Sequence, residues 1–186
     1  MKKVLLLILA VLFSHADSDM SLFDMDHKEG YFAGIHFKGS NIAKEDVAIT
    51  APKIGLYFNE NFFMGVSKTV SSGRIAEKNP TFLIPTTHTL AYESLIFGFS
   101  FETGTFADIV FELEAGAGSL NTDTERSYHT FVEPALIIRT FLTQDIALDL
   151  GVSHRYLQSD NLLGLGLTYD DVSTSSFSIG LTLVAR

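Results

Sequence analysis

The chain of 186 residues contains no cysteine and no tryptophan, and it has only four prolines. Without cysteine there is no disulfide scaffold, no cysteine-based zinc site, no thiol nucleophile and no lipid-modified cysteine at a mature N-terminus. Basic residues are also scarce. Thirteen Lys and Arg face 22 Asp and Glu, for a formal net charge of −9, which excludes the basic face a nucleic-acid binder needs. Uninterrupted apolar runs of ~20 residues are missing, so a helical membrane bundle is excluded as well. What is present is hydrophobic: 46% of residues are apolar and only 19% are charged, which is not the composition of a disordered chain. The length suits one domain.

Residues 1–16 read as a secretory signal peptide. Lys2 and Lys3 supply the positive start, Val4 to Phe13 the apolar core, and Ser14-His15-Ala16 a small-x-small cleavage site. Cleavage is expected after Ala16, leaving a short periplasmic tail over 17–28 and one folded unit over 29–186. An N-terminal membrane anchor is the alternative, but the apolar stretch is too short to span a bilayer as a helix.

Downstream, the chain alternates with period two. Phe177, Ile179, Leu181, Leu183 and Ala185 share one face, opposite Ser176, Ser178, Gly180, Thr182 and Val184. Ala107, Ile109, Phe111, Leu113 and Ala115 oppose Asp108, Val110, Glu112, Glu114 and Gly116 in the same way. This is strand periodicity, and no window shows a comparable 3.6-residue period. Three breaks are tight: Asn59-Glu60-Asn61, Thr103-Gly104-Thr105 and Thr143-Gln144-Asp145. Longer polar breaks are expected near 40–49, 71–87, 119–127 and 158–174. The spacing predicts eight strands, about 30–39, 50–59, 61–70, 88–102, 106–118, 128–141, 146–157 and 175–186. Strict alternation of short and long connections is the mark of an up-and-down barrel with its turns at one rim and its loops at the other.

The two faces indicate which side meets what. Large apolar residues fill one face without interruption. The other carries small residues such as Gly55, Ser67, Gly98, Gly116, Gly151 and Gly180 mixed with ions. A soluble barrel would be apolar inside, whereas a membrane barrel is apolar outside with a narrow polar lumen. The membrane arrangement is the expectation. Phe58, Phe62, Phe63, Phe99, Phe101, Phe106 and Phe141 flank the short turns and predict an aromatic ring there. Tyr92, Tyr128, Phe131, Tyr156 and Phe177 predict a looser one at the loop side. Two residues strain the pattern. Pro134 lies inside the sixth strand and calls for a bulge or a later start. Glu93 has lipid-facing parity and calls for a bulge near Tyr92 or a place above the bilayer.

The opening strand Glu29-Gly30-Tyr31-Phe32-Ala33-Gly34, the tight hairpins and the closing Phe177-Ser178-Ile179-Gly180-Leu181-Thr182-Leu183 together resemble the small eight-stranded outer-membrane barrels. That group includes opacity-type adhesins and OmpA-like and OmpX-like barrels. The resemblance implies an all-β, eight-stranded antiparallel transmembrane barrel in a Gram-negative outer membrane, with short periplasmic turns and longer extracellular loops. It also implies insertion by the barrel-assembly machinery and contact with outer-membrane lipid and lipopolysaccharide. Members usually end in an aromatic residue, whereas this sequence ends Leu183-Val184-Ala185-Arg186.

Parity turns His36, Lys38, Asp108, Glu112, Glu114, Glu133, Arg139, Asp149 and Arg155 inward. Charges in a narrow interior must pair, so the expectation is an ion network that closes the lumen and sets register. A narrow channel for small or apolar solutes is the alternative. No catalytic residue, metal site or cofactor is expected. Ser153 and His154 are adjacent in a strand and point apart, His36 near Glu112 or Glu114 has no placed nucleophile, and His27, His88 and His129 show no ligand spacing. Leu162, Leu163, Leu165 and Leu167 alternate within the last loop and read as a contact surface for a surface protein or as an extension of the hairpin. Asp123, Glu125, Asp160, Asp170 and Asp171 read as solvated loop charges, with calcium bridging a minor option. The overall reading is a monomeric, non-enzymatic outer-membrane protein with a structural or adhesive role. A soluble exported barrel binding an apolar ligand is the further alternative.

Overall fold

The computed structural model describes residues 30–42, 45–72, 89–103, 106–121, 126–158 and 173–185. The proposed signal peptide, its cleavage at Ala16 and the tail lie outside them. Eight strands follow in order: β1 (Gly30–Ile42), β2 (Glu45–Tyr57), β3 (Phe62–Ser72), β4 (Thr89–Glu102), β5 (Ala107–Asn121), β6 (Arg126–Phe141), β7 (Ile146–Gln158) and β8 (Thr174–Ala185). Each is antiparallel to the next, and β8 pairs with β1 to close the barrel. The described residues contain no helix.

The register fixes the barrel's shape. Stepping from partner to partner, Gly30 leads to Tyr57, Phe63, Gly98, Glu112, Ala135, Ser153 and Ser176, and then back to β1 at Ser40. The circuit returns ten residues farther along the strand. With eight strands this stagger tilts them by about 40° and leaves an interior just wide enough for side chains.

Alternation then sorts the residues by side. Phe111, Leu181, Ile54 and Phe177 point outward, at 47%, 51%, 59% and 58% exposure. Asp149, Glu114, Glu133 and Arg139 point inward, at 3% or less. The outward belt begins at Phe58, Phe101, Phe106 and Leu183 and rises to Phe37, Leu113, Val152 and Phe177. It is about 22 Å tall at this tilt and strand rise, close to the apolar band of a bilayer-spanning barrel. Above it polar Thr50, Lys68, Glu93 and Ser175 enter the outward face, mixed with Val70, Val132 and Tyr156. An inside-out core of this kind is the opposite of a soluble barrel's.

The turn-side end of the lumen is plugged by rings. Phe32, Tyr57 and Phe63 meet one another at centroid distances of 5.1–5.9 Å, joined by Ile96, Val110, Ile137 and Val184. Glycine makes the room: a Cβ on Gly98 would sit 1.9 Å from the Phe63 ring. The turns themselves are held locally. The Asn59 side-chain oxygen accepts from the amides of Asn61 and Phe62, and the Thr143 hydroxyl accepts from that of Ile146.

Several expectations need correction. Residues 40–49 are not a loop. β1 and β2 stay paired to Ile42 and Glu45, and Asn41 donates to Asp46 at 3.2 Å. Residues 119–127 likewise pair down to Asn121 and Arg126. Strict alternation of connection length therefore fails: at the loop rim, 43–44 and 122–125 are short while 73–88 and 159–173 are long. Strands outrun the bilayer here, so polar outward residues mark height and not the end of pairing. No bulge is needed at Pro134 or Glu93, because the register is unbroken through both strands. Pairing between β6 and β7 skips Glu133 and Pro134 and resumes in register, and that between β2 and β3 does the same at Ala51 and Pro52. Glu93 is outward, in an exposed pair with Lys68 at 3.5 Å. The two aromatic rings are thinner than expected. Phe63, Tyr92 and Phe131 are buried in the lumen, and Phe141 packs against the inner plug. Phe62 and Phe63 are neighbours, so only one of them can face outward.

Candidate functional site in the barrel lumen

The inward ions of five strands build one ionic column above the aromatic plug. Nearest the plug, β6 and β7 place Arg139 opposite Asp149. The guanidinium donates from Nε and Nη2 to the two carboxylate oxygens, both at 2.9 Å, and from Nη1 to the Tyr57 hydroxyl at 2.7 Å. Thr182 donates to the same carboxylate at 2.8 Å, and His36 Nε2 lies 3.2 Å from it. A two-pronged contact of this geometry is the strong form of an Arg–carboxylate pair.

Above it, Lys53 of β2 pairs with Glu112 of β5. The next layer is a four-ion cluster. Lys38 donates to Glu133 at 2.7 Å and to Glu114 at 3.2 Å. Arg155 Nε donates to the other oxygen of Glu133 at 2.7 Å. Ser94 and Ser153 donate to Glu114 and Glu133, at 2.5 and 2.7 Å. The guanidinium of Arg155 also lies over the rings of Tyr92 and Phe131, 4.4 and 4.8 Å from their centroids.

All nine ionisable residues that parity turned inward are buried in the lumen. Eight share this column. Asp108 lies at the turn rim, where Ser100 donates to it at 3.0 Å. One member was missed: Lys53. Lys53 lies within the expected strand 50–59, and Ile54 and Leu56 on the outer face already placed it inside. Its absence showed in the charges, since five carboxylates against three firm cations left an imbalance that Lys53 reduces.

The remaining candidates are scattered. Ser153 faces in and His154 faces out, on opposite sides of β7. His154 instead lies 2.9 Å from the Ser175 hydroxyl across the strand pair, and among the described residues no carboxylate pairs with it. His129 is buried in the lumen against Tyr92. His27, His88, the loop acids Asp123, Glu125, Asp160, Asp170 and Asp171, and Leu162, Leu163, Leu165 and Leu167 lie outside the described residues. Among the described residues no three acids and histidines converge as a metal site would require.

No protein-family model and no curated protein matches the chain. Solved structures do. Neisserial surface protein A matches with 15% identity and a TM-score of 0.54, over 83% of this chain and 96% of that one. The N-terminal β-barrel domain of Pseudomonas aeruginosa OprF matches with 11% identity and a TM-score of 0.58, over 82% and 96%. Ail, the attachment invasion locus protein of Yersinia pestis, was solved in complex with the heparin analogue sucrose octasulfate. It matches with 13% identity and a TM-score of 0.55, over 85% and 99%. At these identities the likeness is one of fold: a closed, all-antiparallel eight-stranded barrel of the outer-membrane kind.

Proposed function

We propose that the chain is an integral outer-membrane protein that acts through its extracellular loops, on a barrel whose lumen is sealed. The observation that carries this reading is the double closure of the interior. An aromatic plug fills one end, and above it successive cation–carboxylate layers cross the lumen from β1 and β2 to β5, β6 and β7. A conduit for solute would have to break these pairs in a low-dielectric space, at a cost of several kcal/mol for each charge. The outward apolar belt argues against a soluble barrel with an apolar ligand inside. The neighbours are surface, attachment and barrel-domain proteins, which supports a structural or contact role over catalysis.

The loop sequences suggest the partner's chemistry. Leucines 162, 163, 165 and 167 lie between Asp160 and Asp170-Asp171. An apolar patch rimmed by acids fits a partner surface with an apolar centre and basic edges. Two measurements test the reading. The purified barrel in a planar bilayer should give no ohmic conductance, and deletion of 161–169 should abolish surface adhesion without lowering barrel content in the membrane fraction. Steady single-channel currents, or adhesion unaffected by the deletion, would refute the corresponding half.

A further inference from the structure

The loop-side end of the lumen holds buried polar atoms that the ion column does not use. Among the described residues, Arg155 Nη1, both ring nitrogens of His129 and the hydroxyls of Ser127 and Thr69 have no hydrogen-bond partner. Every one of these side chains is inward and 7% exposed or less. The register explains how they come together. Thr69, Tyr92, Gly118 and His129 are successive partners on β3, β4, β5 and β6. Gly118 contributes no side chain, and a Cβ there would sit 2.3 Å from Tyr92 Cδ1, so the tyrosine ring lies across it and meets the edge of His129 at 5.0 Å. The same ring carries the Arg155 guanidinium, which Glu133 holds through Nε and Nη2. Arg155 is thus fixed in place with one N–H pair left over, and Ser127 stands two residues beyond His129 on the same inward face.

Buried polar groups without partners are costly, and native interiors seldom keep several in one place. Arginine donates only, and histidine and the hydroxyls can all donate. A cluster of donors facing no acceptor is complementary to an oxyanion. We propose that this end of the lumen is a binding subsite for a small oxyanion group, a carboxylate, phosphate or sulfate, held by Arg155 Nη1, His129 and Ser127. The four ions beneath are balanced, Lys38 and Arg155 against Glu114 and Glu133. Burial and the neighbouring Arg155 hold the His129 ring well below its ordinary range, at about 4, so at pH 6 it is neutral in the free barrel and takes a second proton only as the ligand binds. Among the described residues, the ionisable groups facing that ring are Tyr92 of β4 and Arg155 of β7, while β5 presents Gly118.

The test is thermal unfolding of the folded barrel in detergent at pH 6, in inorganic phosphate against chloride at matched ionic strength. Phosphate at tens of millimolar should raise the wild-type Tm by about 5 °C if it binds with a millimolar Kd. His129→Phe keeps the ring contact and removes the donors, so its phosphate increment should vanish. Ser127→Ala, the milder change, should lose part of it. In parallel, phosphate should shift the His129 ring NMR signals of the wild type. No increment, an increment of equal size in both variants, or an unmoved His129 signal would overturn the proposal and leave the cluster to water alone. The sealed-lumen reading stands or falls separately, on conductance.

Discussion

Arg139 donates from all three guanidinium nitrogens, to Asp149 and Tyr57, and is 3% exposed. Its removal leaves a buried carboxylate with only Thr182 and His36 beside it. Loss of one partner from a buried ion pair costs about 3–5 kcal/mol, which corresponds to a Tm drop of about 10 °C or more for a chain of this size. Arg139→Ala should show it in heat-dependent gel mobility. Lys53→Met should behave alike, and the double variant Lys53→Met with Glu112→Leu should recover most of the loss, because a matched apolar pair needs no counter-charge. Glu93→Ala breaks an ion pair whose side chains are 66% and 80% exposed, so its Tm should move by less than ~3 °C. Equal losses in Arg139→Ala and Glu93→Ala would contradict the burial assigned to the column. These inward positions were legible from parity alone, because one residue's direction fixes every other in its strand. Lys53 was legible by the same rule, since Ile54 and Leu56 on the outer face of its strand turn it inward. The hydroxyls of Ser94, Ser153 and Thr182 carry no signal in sequence that separates a carboxylate's donor from a small lumen filler.

The strands show where local rules give way to the closed sheet. Pro52 and Pro134 both face outward, and both sit where pairing to one neighbour lapses for two residues and then resumes in register. A proline removes one amide donor, and a barrel can absorb that where the ladder is already open. Pro134→Ala should therefore leave the Tm within ~2 °C, since the hydrogen bond it can regain is offset by a more flexible unfolded chain. Leu136→Pro has the same outward parity but lies at a position paired on both sides, to Phe111 and Val152. It should cost about 3 kcal/mol or prevent folding. If the heat-dependent mobility of the two variants is the same, the lapse in pairing has no such meaning. Strand count and most centres follow from the alternation of apolar residues. The ends near 42–45 and 121–126 did not, because above the belt the outward face loses its run of large apolar residues: at 46–50, Asp46 and Thr50 face out while Val47 and Ile49 turn inward.

At the scale of the whole molecule, each statement about function rests on which side the bulky residues take. The sequence contains the pattern but not the sign. Period two is the same for an apolar core and an apolar exterior, and only the smallness of the opposite face, with Gly55, Gly65, Gly98 and Gly116, pointed to a narrow lumen. The absence of tryptophan offers the most direct check, since a single introduced indole is a unique reporter. Phe111→Trp and Leu181→Trp place it on the outer belt, and Phe63→Trp places it in the lumen within the belt's height. In vesicles of lipids brominated along the acyl chain, the first two variants should be strongly quenched and the third should keep most of its fluorescence. Quenching of the Phe63→Trp variant, with the Phe111→Trp and Leu181→Trp variants left bright, would contradict the account at its centre.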